Sequence, residues 1–186
     1  MPSLTDILGQ EQAIRVLRRA SENGRVAQAY LFSGPSGVGK ATTAVALAAA
    51  LNCESRPGVG CGDCLPCGKL DRGLHPDLIT LEPTGKQIKT IKIDQVRALE
   101  ETLAYRPHEG RHRLVLIDGA EHLNDNAANA LLKSVEEPRP GTVFVLTTSA
   151  AHRVVPTLIS RCQRLRFVPL GQEVVASILA REAAEA

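Results

Sequence analysis

The chain has no tryptophan, only two tyrosines and three phenylalanines, which argues against recognition of unpaired bases by aromatic stacking. A charge excess is missing as well. Its 22 basic and 20 acidic residues leave a net charge of +2, so no global basic field draws it to nucleic acid. Any DNA contact has to be local and shared with other subunits. No apolar run approaches the ~20 residues of a membrane span, and Met1-Pro2-Ser3-Leu4-Thr5-Asp6 lacks the charged-then-apolar layout of an export signal. The expectation is a cytoplasmic protein with no membrane partner. Internal repeats and low-complexity segments are also missing, apart from an Ala/Glu-rich end. At 186 residues one α/β domain is the default, with enough chain to bury a core.

Apolar runs alternate with turn residues along this length. A helix is expected over 10–22, stopped by Asn23-Gly24, a pair suited to a helix C-terminus. Strands are expected over 29–33, 77–81, 113–117, 143–147 and 165–168. Between them fall an Ala-rich helix over 42–51, a helix capped by Asp94 with Val96, Leu99 and Leu103 on one face, and helices over 124–135 and 155–162. A last helix spans 172–185. Such alternation gives a parallel sheet with helices on both faces, and ligands of such sheets sit at the carboxyl ends of the strands.

At the end of the first strand lies Gly34-Pro35-Ser36-Gly37-Val38-Gly39-Lys40-Ala41, a phosphate-binding loop followed by a helix. Its glycines let backbone N–H groups curl around a polyphosphate, the helix N-terminus adds positive potential, and Lys40 supplies a full charge. What it lacks is the Ser or Thr hydroxyl that holds Mg²⁺ after the lysine. Ala41 stands there, and Thr42 points about 100° further round the helix. The candidate nucleotide contacts are Gly34, Ser36, Gly37, Val38, Gly39, Lys40, Ala41 and Thr42. A loop that holds ATP or ADP but is poorly equipped for Mg²⁺, and a relic loop that is empty or holds an adventitious anion, are both open readings.

Leu114-Val115-Leu116-Ile117-Asp118 reads as a buried parallel strand ending in a carboxylate, the geometry of a residue that helps hold Mg²⁺. A strand-end Asp that caps the next turn gives the same pattern. In ATPases of the AAA+ kind a Glu follows that Asp and orients the attacking water. Here Gly119 follows, and the next carboxylate is Glu121. Two positions needed for hydrolysis are vacant in one chain, which suggests a nucleotide-site scaffold that does not hydrolyse.

Cys53, Cys61, Cys64 and Cys67 lie in a Gly- and Pro-rich insert over 53–68 that contains no histidine. Four thiolates with tight C-x2-C turns suit tetrahedral Zn²⁺ in a structural role, and a cytosolic redox poise keeps them reduced. An iron–sulfur run would ask for a further cysteine shortly after Cys67, where none occurs; disulfides and bare packing are the remaining alternatives. Cys162 reads as a small buried packing residue.

Together these features resemble the first domain of bacterial clamp-loader subunits of DNA polymerase III. The resemblance rests on Ile7-Leu8-Gly9-Gln10, Ala29-Tyr30-Leu31-Phe32, the cysteine cluster, Asn129-Ala130-Leu131-Leu132-Lys133, Glu136-Glu137-Pro138 and Ser160-Arg161-Cys162, nearly the whole chain. It implies a P-loop NTPase (AAA+) fold, a five-stranded parallel sheet flanked by helices over 1–169 with the zinc insert, and the start of a helical lid over 170–186. The gamma/tau motor type would carry Thr after the lysine and Asp-Glu at the second motif. Ala41 and Gly119 are similar instead to the delta-prime type, the stationary member that completes a pentamer without firing its own ATP. Implied partners are gamma/tau and delta subunits and, through the assembled complex, the sliding clamp and primed DNA. In that setting Arg161 is the implied catalytic residue, an arginine finger reaching a neighbour's γ-phosphate in trans; a plain surface arginine at a helix end is the alternative. The resemblance also implies a polar sensor at Thr148 and Ser149, though turn-forming hydroxyls account for both. Lys133, Arg97 and Arg106 are candidates for tracking DNA phosphates, and solvated surface charges look the same in sequence.

Rival readings need residues that the chain lacks. An autonomous P-loop kinase or NTPase requires the Mg²⁺ hydroxyl and a base, and a gamma/tau motor requires the same two groups. A zinc-mediated nucleic-acid adaptor requires a basic surface that the near-neutral charge does not provide.

Overall fold

Parallel strands covered by helices must be apolar on both faces of the pleat, and the strand segments here meet that demand. The computed structural model describes residues 3–85 and 89–185. Strands β1 (Ala29–Ser33), β2 (Leu78–Leu81), β3 (Arg113–Ile117), β4 (Thr142–Thr148) and β5 (Gln163–Arg166) form one parallel sheet in the order β2-β3-β4-β1-β5. The helices are α1 (Glu11–Glu22), α2 (Lys40–Asn52), α3 (Leu65–Asp71), α4 (Ile93–Leu103), α5 (Asp125–Glu136), α6 (Pro156–Ile159) and α7 (Gln172–Glu185). Successive strand residues point to opposite faces. Tyr30, Phe32, Leu116 and Val145 enter a core shared with α1, α2 and α3, whereas Leu31, Val115, Ile117 and Phe144 enter a second core with α4, α5 and α6. Helix α2 is buried at every residue from Ala46 to Asn52, as a helix apolar all round should be. Among the described residues no helix is long and apolar enough to cross a membrane.

Several element boundaries depart from the sequence pattern. Strand β2 begins at Leu78, not Asp77. Asp77 is buried just before it and accepts N–H groups from His108 (2.6 Å), Glu109 (2.9 Å) and Gly110 (2.8 Å). The Arg113 guanidinium meets the same carboxylate at 3.3 Å and donates to the carbonyls of Thr102, Tyr105 and Arg106. This buried pair ties the loop after α4 to the sheet. Strand β5 lies two residues earlier than expected, because Gln163, Arg164 and Arg166 face solvent at the sheet edge and only Leu165 is buried. Asp94 is not the cap of α4; Lys92 is, with its N–H donated to the Gln95 side chain at 3.0 Å, and Asp94 sits in the first turn. Helix α6 ends at Ile159, so Arg161 lies in the turn beyond it. The cysteine insert hides a seven-residue helix, α3, behind its Gly and Pro content.

Candidate functional site

The phosphate loop leaves the carboxyl end of β1 and enters α2 through Gly39, at φ +91°, with Gly37 at φ +77°. Only glycine adopts such angles without strain. Gly34 is fixed for a different reason: a Cβ there would lie 2.3 Å from the Phe167 carbonyl oxygen. Gln10 secures the same region, donating from Nε2 to the carbonyls of Val38 (3.3 Å) and Val168 (2.9 Å) while its Oε1 accepts the Val168 N–H. The sequence marked Gln10 only as part of a motif, and no local signal gave this role, because its partner Val168 lies 158 residues away.

Lys40 Nζ folds over the loop, donating to the carbonyls of Gly34 (2.9 Å) and Pro35 (2.6 Å). Burial lowers its pKa, and the carboxylates of Glu121 and Asp118 act against that shift. A cavity of about 390 Å³ opens here, lined by Ser36 to Thr42 and Asp118, by the apolar Ile7, Leu8, Leu170 and Ile178, and by the charged Asp6 and Arg181. The phosphate loop brings backbone N–H groups and the Lys40 cation to an otherwise mixed apolar and charged lining, a layout that suits a nucleotide. Ala41 contributes a methyl where a metal-holding hydroxyl would stand. Thr42 is exposed at the cavity, while Thr43 spends its hydroxyl on the Gly39 carbonyl at 2.7 Å.

Asp118 does reach the site, but it is held by a residue that the sequence did not single out. Thr147 Oγ1 donates to Asp118 Oδ1 at 2.5 Å and accepts the Gly119 N–H at 3.0 Å. Thr148 and Ser149 are occupied elsewhere. Thr148 Oγ1 accepts the Ala150 N–H at 3.0 Å, the turn-forming role, and Ser149 donates its N–H (2.9 Å) and hydroxyl (2.6 Å) to Glu121 Oε1. Burial alone would raise the Glu121 pKa, but these Ser149 donors bring it below the ordinary range. Gly119 has φ +81°, and a Cβ on it would meet His122 Cδ2 at 2.9 Å. The position that a water-orienting Glu would occupy therefore has a backbone that favours glycine, with His122 crowding any side chain placed there.

At the far end of α2 the four cysteines converge. Their Sγ atoms all lie within 4.8 Å of one another, with Cys53–Cys64 at 3.8 Å and Cys61–Cys67 at 4.0 Å. Thiolates ~2.3 Å from a tetrahedral ion stand about 3.8 Å apart, so this set closes on one metal ion with little movement. N–H groups already point at the sulfurs, Arg56 at Cys53 (3.2 Å) and Cys64 and Asp63 at Cys61 (3.3 and 3.4 Å). Those last two donors lower the Cys61 thiol to about 6, whereas burial pushes Cys67 up to about 12. A bound cation reverses that burial effect. The insert also seals the helix end, with Gly58 N–H donated to the Ala50 carbonyl at 2.8 Å.

Arg161 stands at the opposite, amino-terminal end of the strands, just before edge strand β5. Gln163 pairs with Tyr30, near the amino end of β1, while the phosphate loop follows the carboxyl end, roughly 15 Å away along the strand. Arg161 pairs with Glu136 at the end of α5 and donates to the Thr157 carbonyl at 2.6 Å. It cannot serve the chain's own cavity. Cys162 is largely enclosed and its pKa is raised by burial to about 11, in keeping with packing.

A family model described as DNA polymerase III, delta subunit, matches residues 9–171. DNA polymerase III subunit delta' of Bacillus subtilis is 37% identical over 166 residues, covering 89% of this chain and 50% of that protein. The delta' subunit of Pseudomonas aeruginosa is 44% identical over 137 residues, 73% of this chain and 42% of that protein. The Bacillus subtilis tau subunit is 33% identical over 171 residues, 91% of this chain and 30% of the relative. The chain thus spans half or less of the length of these relatives. Among solved structures, the Thermotoga maritima RuvB Holliday junction branch migration motor superposes with a TM-score of 0.62 at 20% identity, covering 98% of this chain and 53% of that one. A DNA polymerase III gamma-subunit-related protein of the same organism gives 0.56 at 23%, covering 88% and 47%. At these identities the two structures speak for the fold alone, a P-loop AAA+ sheet. The chain belongs to the clamp-loader subunits of DNA polymerase III, as an N-terminal domain of the delta-prime type.

Proposed function

We propose that this chain is the non-hydrolysing member of a clamp loader, acting in DNA replication by lending Arg161 to the ATP site of a neighbouring gamma/tau-type subunit. Gly119 carries the reading: its left-handed backbone leaves the chain's own cavity without the carboxylate that orients water. Ala41 supports it by withholding the metal's hydroxyl. A guanidinium that reaches a transferring γ-phosphoryl group stabilises the charge spreading over its oxygens, an effect of orders of magnitude in rate. The position of Arg161, at the end of the strands away from the phosphate loop, favours action on another subunit. Gly34, Ser36, Gly37, Val38, Gly39, Lys40, Ala41 and Thr42, with Asp118, form a scaffold that takes ATP or ADP with weak hold on Mg²⁺. Cys53, Cys61, Cys64 and Cys67 take structural Zn²⁺, α7 begins a helical lid, and the partners are gamma/tau and delta subunits, with the sliding clamp and primed DNA engaged through the complex in the cytoplasm.

Reconstitution tests the proposal. Arg161→Ala should leave the isolated chain folded and cut ATP turnover of the assembled complex at least tenfold at the site it serves; unchanged turnover removes the claim. The 33% identity to tau over 91% of the chain supports a second reading, a motor subunit. That reading requires steady ATP hydrolysis dependent on Lys40.

A further inference from the structure

We propose that Glu136 is a positioning residue for Arg161: it holds the guanidinium so that its far end, not its side, faces the neighbouring subunit. The proposal deepens the trans-acting reading above and rests on it. Glu136 ends α5, and the turn after α6 brings Arg161 against it across a sequence gap of 25 residues. Arg161 Nε donates to Glu136 Oε1, and Nη2 pairs with the same oxygen. On the other flank Nη1 donates to the Thr157 carbonyl at 2.6 Å, with Ser160 Oγ a weaker acceptor at 3.4 Å. The side of the fork formed by Nε and Nη2 is thereby occupied, and so is one hydrogen of Nη1. These contacts leave a hydrogen on Nη2 without a partner and give the second hydrogen of Nη1 no more than the long contact to Ser160. Two such N–H groups can donate to two oxygens of one phosphoryl group.

The arrangement also answers the cost of flexibility. A free arginine at a surface samples many rotamers, and freezing it at the moment of reaction costs side-chain entropy. Arg161 and Glu136 are 35% and 43% exposed at their side chains, open enough to meet a partner and tethered enough to arrive ordered. The Glu136 charge partly neutralises the cation, so its value lies in aim rather than in field. Holding a catalytic group in the reacting geometry is an effect on rate more than on substrate binding.

The test uses pentamers assembled from this chain with the gamma/tau-type and delta subunits of its organism, with clamp and primed DNA. Glu136→Ala should lower kcat for ATP about tenfold with KM unchanged, and should add nothing when Arg161 is already alanine. Glu136→Gln, which keeps an oxygen acceptor for Nε while removing charge, should retain most of the activity. If Arg161→Ala slows turnover while Glu136→Ala does not, or Glu136→Ala speeds it, the positioning role is wrong and the trans finger survives. If Arg161→Ala has no effect, both fall. A second measurement is independent of assembly: in the isolated chain the Arg161 Nε–H should give a shifted, slowly exchanging NMR resonance that Glu136→Ala abolishes. Its absence from the unmodified chain overturns the proposal.

Discussion

At the N-terminus of α2, Lys40 and a ring of backbone N–H groups face a cavity, and a methyl replaces the oxygen that would hold a metal. At the C-terminus of the same helix, 13 residues long, Cys53 joins three other cysteines in a set that suits a metal ion. The difference lies in what each end is packed against. Ala41 is only partly buried, lining the cavity while it packs against the edge of the first core. Cys53 and Cys67 are fully buried members of the first core, so each thiol that could hold a metal also packs the sheet. Function separates from fold at one end of the helix and not at the other.

The largest expected effect tests the buried end. Removing the metal with a strong chelator, or through Cys67→Ala, should lower stability by about 3 kcal/mol or more and the melting temperature by about 10 °C. Elemental analysis and far-UV circular dichroism are the measurements, since the chain has no tryptophan to follow. Full retention of the melting temperature without metal would break the comparison.

A region remote from both ends calibrates it. Asp77→Asn leaves Arg113 buried without its counter-charge, at a cost of about 3 kcal/mol. Burial by itself would raise the Asp77 pKa, but N–H donation from Gly110, His108 and Glu109, followed by the Arg113 guanidinium, holds it below the ordinary carboxylate value. A depressed folded-state pKa means the stabilisation is complete above the unfolded value of about 3.9 and is lost as pH falls through the lower, folded one. An acid titration of the melting temperature should show this step, and Asp77→Asn should erase it.

Smaller effects belong to the open end. Lys40→Ala should weaken ATP binding about tenfold, measured by calorimetry, while shifting the melting temperature by no more than about 2 °C. Smallest of all, Ala41→Ser should improve affinity by roughly threefold, only when Mg²⁺ is present, and should bring no turnover. Turnover appearing with this one hydroxyl would show that the carboxylate at 119 is dispensable.

Features whose chemistry is local were legible in the sequence: the phosphate loop, the strand ending in Asp118 and the closely spaced cysteines each announce themselves within a short window. The parallel sheet followed from alternation. What stayed hidden depends on strand order. Thr147 reaches Asp118 because β4 lies beside β3, and Gln10 meets Val168 across 158 residues. Strand β5 was misplaced because an edge strand exposes its polar residues, so its apolar signal shrinks to Leu165. The Glu136–Arg161 pair requires α5 and the turn after α6 to converge, which no spacing rule encodes.

The turn at Gly119 sets a limit on repair. Installing an acidic residue there places a side chain on a left-handed backbone that favours glycine, and asks the neighbouring imidazole to move aside. An acidic substitution at this corner is therefore coupled to its surroundings, and its cost should fall when His122 is shortened at the same time.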